Sequence, residues 1–146
     1  MTPDQKRLIK ETWSMVVPIA DTAAALFYNR LFEIDPTTRA LFRTTNMAEQ
    51  RKKLMHVLGA ALQGLDDLDA LLPVVENLGR RHRTYGVAGA HYDSVGAALL
   101  WTLETGLGKA WTPAAAEAWA TLYGMLSGIM RRAADAPMQP ATVKAA

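Results

Sequence analysis

Cysteine is absent from the 146-residue chain, and that absence removes disulfides, thiolate metal ligands and cysteine-held iron–sulfur clusters together. Any metal would have to be held by nitrogen or oxygen, and the composition is compatible with a reducing compartment. Surplus charge is also missing. Sixteen Lys and Arg against fourteen Asp and Glu leave a formal net charge of +2, far from the basic excess that marks a nucleic-acid partner. The longest stretch free of charged residues, Ala118 to Met130, falls short of the roughly 20 residues that a membrane helix needs. The opening "MTPDQKRLIK" puts charges where a secretory signal would carry its apolar segment, so a cytoplasmic address is expected. No GxGxxG follows a strand, which leaves no signature of a flavin or nicotinamide module.

What the chain does have is helix signals from end to end, with no alternation long enough to make a strand. The expected fold is all-α. Thr2, Pro3 and Gln5 read as a capping box with proline at the first helical position, ahead of the stripe Ile9, Trp13, Val16. Pro18 marks a break before a second helix carrying Leu26, Phe27, Leu31 and Phe32 and ending near Ile34. Asp35 and Pro36 restart a short turn that delivers Leu41 and Phe42. Asn46 with Glu49 caps a long helix whose inner stripe is Leu54, Val57, Leu58, Ala61 and Leu65, with Gln50 one turn before Leu54. The acidic "DDLD" makes a turn, and Leu71, Val75, Leu78 and His82 then define a helix that Gly86 ends. Tyr92, Val95, Leu99, Leu103 and Leu107 belong to the next, closed by "TGLGK". Thr112 and Pro113 start the last, with Trp119, Leu122, Tyr123, Leu126 and Met130. Residues 1–134 read as one domain, and 135–146, with two prolines and little to bury, as a flexible tail.

Polar groups on such inner faces need partners. In "NLGRRHRTYG", His82 ends an apolar stripe while its arginines lie elsewhere on the helix. Taken alone it is a satisfied core histidine or a ligand. No second His, Asp or Glu recurs three or four residues away, which argues against zinc. A lone imidazole does suffice for a haem iron, because the porphyrin supplies four ligands. Tyr28 reads equally as a core aromatic, Gln50 as a half-exposed first-turn residue, and Leu54 and Phe42 as packing. His56 lies about 240° around the helix from Gln50, so it does not share that face. His91 suits a capping or surface role, and Arg80, Arg81 and Arg83 form a solvated face from which one could reach a haem propionate.

The ordered strings "LIKETW", "LFYNRLF", "IDPTTRALF", "RKKLMHVLG", "LGRRHRTYGV", "HYDSVGAALL" and "AWATLYG" resemble the single-domain bacterial globins and the haem domains of flavohaemoglobins, from about Leu8 to Met130. The resemblance implies a globin fold, a three-over-three helical sandwich around haem b. It puts His82 in the place of the proximal iron ligand and Phe42 against the porphyrin face. Tyr28, Gln50 and Leu54 match the distal pocket, and Tyr92 the tyrosine beside the proximal histidine. A glutamate that the flavohaemoglobins carry on the last helix is replaced here by Ala134, which weakens any peroxidase-like role.

Hydrogen bonds from Tyr28 and Gln50 to a polarised ligand would each contribute roughly 1.5–3 kcal/mol. High-affinity, slowly released O2 is therefore expected, with CO gaining less. The implied function is reversible O2 binding for storage, delivery or scavenging. The alternatives are NO dioxygenation with electrons from an external reductase, and gas sensing. The expected state is a monomer or weak homodimer, with Gly96, Ala97 and Ala98 allowing close helix contact within or between chains.

Overall fold

The computed structural model describes residues 1–135, and within them six α-helices are joined by short turns. Helix α1 spans Pro3–Val16. Its capping box is reciprocal, the Thr2 hydroxyl accepting from the Gln5 backbone at 3.1 Å and the Gln5 side chain accepting from the Thr2 backbone at 3.0 Å. Pro18 sits in a 3-10 turn, Val17–Ile19, that ends α1 and leads into α2, Ala20–Ile34. Asp35 then caps the short 3-10 helix Pro36–Phe42 by accepting from the Thr37 backbone at 3.1 Å. Asn46 accepts from the Glu49 backbone at 3.2 Å at the start of α3, Met47–Gln63.

Two boundaries differ from the sequence expectation. Leu65 is fully buried but lies in a 3-10 turn, Gly64–Asp66, beyond the end of α3. The acidic cluster is not all turn either. Asp67 is the N-cap of α4, Leu68–Thr84, and Asp69 falls inside its first turn. Aspartates there accept from free amides and meet the positive end of the helix dipole, which favours an early start. Gly86, at φ 97°, supplies the left-handed residue just past α4. Helix α5 spans Gly89–Leu107 and stops at Gly108, φ 55°. Helix α6, Pro113–Asp135, starts where the Thr112 hydroxyl accepts from the Ala115 backbone at 3.1 Å. It includes Asp135, the first residue assigned to the tail; the rest of that tail lies outside the described residues.

The helices pack as α4 on α6, α2 on α5 and α1 on α6, with α3 lying on α2. The core centres on Ile9, Phe27, Leu65, Leu103 and Trp119. Trp119 is 1% exposed, and its indole N–H donates to the Thr12 hydroxyl at 2.8 Å. Thr12 in turn donates to the Leu8 carbonyl at 2.7 Å, so this polar pair is satisfied inside the core. Gly96 and Ala98 are buried and Ala97 is exposed. A Cβ at Gly96 would lie 2.7 Å from the Tyr123 ring, so this small-residue stretch serves contact within the chain, between α5 and α6.

Candidate functional site

Two groups of side chains carry the polar chemistry, one on α2 and α3, the other on α4, α5 and α6. The buried stripe of α2 is Ala23, Ala24, Phe27, Tyr28 and Leu31. Its phenol is framed by aromatics, with Phe27 edge-on at 4.9 Å and Phe42 edge-on at 5.4 Å between ring centroids. Such edge-to-face pairs satisfy ring quadrupoles and hold a ring in place. The cap at Asn46 fixes where α3 begins, and so turns Gln50, in its first turn, toward α2. The Gln50 amide Nε2 donates to the Tyr28 hydroxyl oxygen at 3.1 Å. Leu54, one turn on, is half-buried against the same core. Burial pushes the Tyr28 phenol above its ordinary value, and the Gln50 hydrogen bond opposes this. The group stays protonated, and with its oxygen already accepting from Gln50 its own proton is free to be donated.

On α4, His82 is half-buried. Its Nδ1 lies 2.8 Å from the Leu78 carbonyl oxygen. A carbonyl only accepts, so Nδ1 carries the proton and Nε2 the lone pair. Burial lowers the pKa of His82, the Leu78 bond opposes this, and the Arg81 charge adds to it. The ring is therefore held as a neutral imidazole with one defined tautomer, which is the form that ligates a metal.

What fixes the height of His82 is Gly79, which the sequence reading passed over. A Cβ at Gly79 would run into the Met130 backbone, its carbonyl oxygen and Cα, so α4 and α6 cross backbone to backbone one turn before the imidazole. The signal was available, since Gly79 sits between Val75 and His82 on the inner stripe.

Tyr92 belongs to a further cluster. It is 6% exposed, and its hydroxyl has no hydrogen-bond partner among the described residues. The Arg131 guanidinium lies 5.2 Å from its ring centroid and pairs with Asp93 at 2.7 Å. Tyr123 donates to the Tyr92 carbonyl at 2.5 Å. No hydrogen bond joins Tyr92 to His82 among the described residues; the Tyr85 ring stands beside His82, with centroids 6.4 Å apart.

The remaining candidates separate cleanly. His56 is exposed. His91 caps, its Nδ1 accepting from the Ala88 backbone at 2.9 Å. Arg80, Arg81 and Arg83 are all exposed. Arg83 is engaged, donating to the Ala134 carbonyl at the end of α6. Among the described residues no three His, Asp or Glu come together as a metal site, and no helix is long and apolar enough to cross a membrane.

The described residues thus form an all-α protein with a lone imidazole on one inner face and a phenol–amide pair on another. Residues 25–130 match the globin family, and the chain belongs to it. It is 32% identical over 145 residues to the neuroglobins of Tetraodon nigroviridis and of Danio rerio, covering 90% of this chain and 91% of each relative. It is 34% identical over 122 residues to the flavohemoprotein of Bacillus subtilis (strain 168), spanning 82% of this chain but 31% of that protein. The fold is similar to the crystal structure of a hexacoordinated heme protein from an anhydrobiotic tardigrade at pH 4. The TM-score is 0.83 at 19% identity, with 93% of this chain and 96% of that one covered.

Proposed function

We propose that this globin holds haem b through His82 and binds O2 reversibly with high affinity. The observation that carries the reading is the Gln50–Tyr28 hydrogen bond, which leaves the phenol as a donor into the pocket. The residues fit the group. The imidazole is neutral with a free Nε2 lone pair, and the inner stripes Leu54, Val57, Leu58 on α3 and Leu71, Leu78 on α4 are apolar and only half-buried by protein.

When bound, the haem iron supplies the reversible bond to a diatomic gas. Gln50 orients Tyr28, and the Tyr28 hydroxyl and the Gln50 amide would be the donors to a polar ligand. Each donor would contribute roughly 1.5–3 kcal/mol to a strongly polarised ligand, so O2, which draws more electron density than CO, would gain more from them. Phe42 would pack against the porphyrin and Leu54 would keep the ligand side apolar. The partner of His82 Nδ1 is a neutral carbonyl and not a carboxylate, which favours ligand binding over strong electron donation.

We place the protein with the bacterial single-domain globins, in the cytoplasm, as a monomer or weak homodimer. The similarity to a flavohemoprotein favours NO dioxygenation as a second reading, with NO as co-substrate and a separate reductase returning electrons.

The test is to titrate the chain with hemin, reduce it, add O2 and follow the spectrum and release rate. The parent should take up one hemin and form a lasting oxy spectrum. His82→Ala should lose hemin, and Tyr28→Phe and Gln50→Leu should release O2 at least tenfold faster. No stoichiometric hemin uptake would sink the reading, and immediate oxidation by O2 would favour the redox role.

A further inference from the structure

The short helix Pro36–Phe42 has a second face, and it borders a solvent-open cavity of about 540 Å³. Its walls are Phe32, Pro36, Phe42 and Met47, with Arg39 and Arg43 beside them. Tyr28, Gln50, Leu54 and His82 do not line it, and Phe42 is the one residue it shares with the site described above. The volume lies within the roughly 300–1,000 Å³ typical of small-molecule sites.

The lining is amphipathic in a specific way. The Arg39 guanidinium sits 4.7 Å over the Phe32 ring. Among the described residues no carboxylate lies within ion-pair distance of Arg39 or Arg43. Two guanidiniums at one cavity call for an anion, and a carboxylate matches their fork geometry. An inorganic anion would leave the apolar walls facing water, so the ligand needs an apolar body. The Phe32 and Phe42 rings are 5.9 Å apart and inclined at 60°. They offer no parallel pair of walls for a flat ring, whereas an alkyl chain bends to fit.

We propose that this cavity binds a medium-chain alkyl carboxylate, with its head on Arg39 and Arg43 and its chain against Phe32, Phe42 and Met47. Phe42 is a shared wall, since its ring packs edge-on against Tyr28. Occupancy therefore reaches the Tyr28–Gln50 pair through one side chain. The proposal does not depend on haem being present.

Decanoate is the probe, titrated calorimetrically into the full chain with and without hemin, below its micelle concentration. Decanoate should bind in both forms, and the Arg39→Gln/Arg43→Gln double variant should bind at least tenfold more weakly. Decanol, acetate and benzoate should each bind at least tenfold more weakly than decanoate. Both arginines are exposed, so the variant should keep the parent's Tm; if it does not, Arg39→Lys/Arg43→Lys, which keeps the charge, should bind closer to the parent than the glutamine pair does. NMR shifts should fall on Phe32, Ala40 and Met47. Equal affinity in the glutamine variant, equal binding of decanol, or shifts centred on Gln50, Leu54 and His82 would each overturn the proposal. Benzoate binding as tightly as decanoate would overturn the choice of an alkyl chain.

Discussion

The wall that carries His82 and the wall that carries Tyr28 and Gln50 are built on different principles. Helix α4 meets α6 backbone to backbone at Gly79 and Met130, where not even a methyl group fits. Helix α3 meets α2 through side chains, and Leu62 is its one buried residue among those described. Backbone contact cannot relax by a rotamer change, whereas side-chain contact can. The imidazole is thus set at a fixed height, while on the other side the Tyr28 ring is held by its aromatic neighbours and the half-buried Gln50 side chain has rotamers in which to adjust.

The sharpest way to break this contrast is Gly79→Ala. The added Cβ meets backbone atoms that have no rotamer to escape into, and the expected loss is about 3 kcal/mol of unfolding free energy in urea. A loss under about 1 kcal/mol would mean the crossing is slack. Gly96→Ala is the milder version, because the clash at 2.7 Å is with the Tyr123 ring. That ring can tilt, but its hydroxyl is tied to the Tyr92 carbonyl, so about 1–2 kcal/mol is expected by the same measurement. If Gly96→Ala cost more than Gly79→Ala, the ranking of backbone over side-chain contact would be reversed.

On the other wall, Tyr28→Phe keeps the edge-on aromatic contacts and removes one hydrogen bond. Gln50 is half-buried and water can serve its amide, so the expected cost to the haem-free chain is about 1 kcal/mol or less. A larger loss would show that this wall is as tightly built as its opposite.

The smallest effect is on pH dependence. Burial, opposed by the Leu78 bond and aided by Arg81, holds the pKa of His82 below its ordinary 6.5. The unfolded chain takes up that proton near 6.5 and the folded chain only at lower pH. Stability is therefore full above the unfolded value and is lost as pH falls below it. The haem-free chain should lose stability between pH 7 and 5, and His82→Leu should lose measurably less. Parallel curves for the two proteins would remove His82 from the acid response.

Much of this was legible in the residues themselves. The capping pairs Thr2 with Gln5 and Asn46 with Glu49, the break at Pro18, and the stops at Gly86 and Gly108 all sit where local chemistry puts them. The early start of α4 was misread because Asp66 to Asp69 looks like a polar turn, although aspartates at a helix N-terminus are stabilising. The inner stripes of α1, α2 and α6 were right in their main residues. Of the expected α3 and α4 stripes, Leu54, Val57, Leu58, Ala61, Leu71 and Leu78 are only half-covered by protein and Val75 is buried, whereas Leu65 lies past the end of α3 and the buried residue of that helix is Leu62, outside the expected stripe. Tyr92 illustrates the limit: its aromatic face is covered by Arg131 from α6, a contact that no spacing within α5 could signal.

The sequence by itself determined where helices begin, end and turn their apolar faces, because caps, prolines, glycines and the 3.6-residue period act within a few residues. It also determined membership of the globin family. The tertiary structure alone decided that Gln50 donates to Tyr28 across a separation of 22 residues. It also decided that Arg83 is spent on Ala134, that Gly79 is a crossing point, and that Arg39 and Arg43 share a cavity. Those outcomes depend on which helix lies against which, and that is set by packing between segments far apart in the chain.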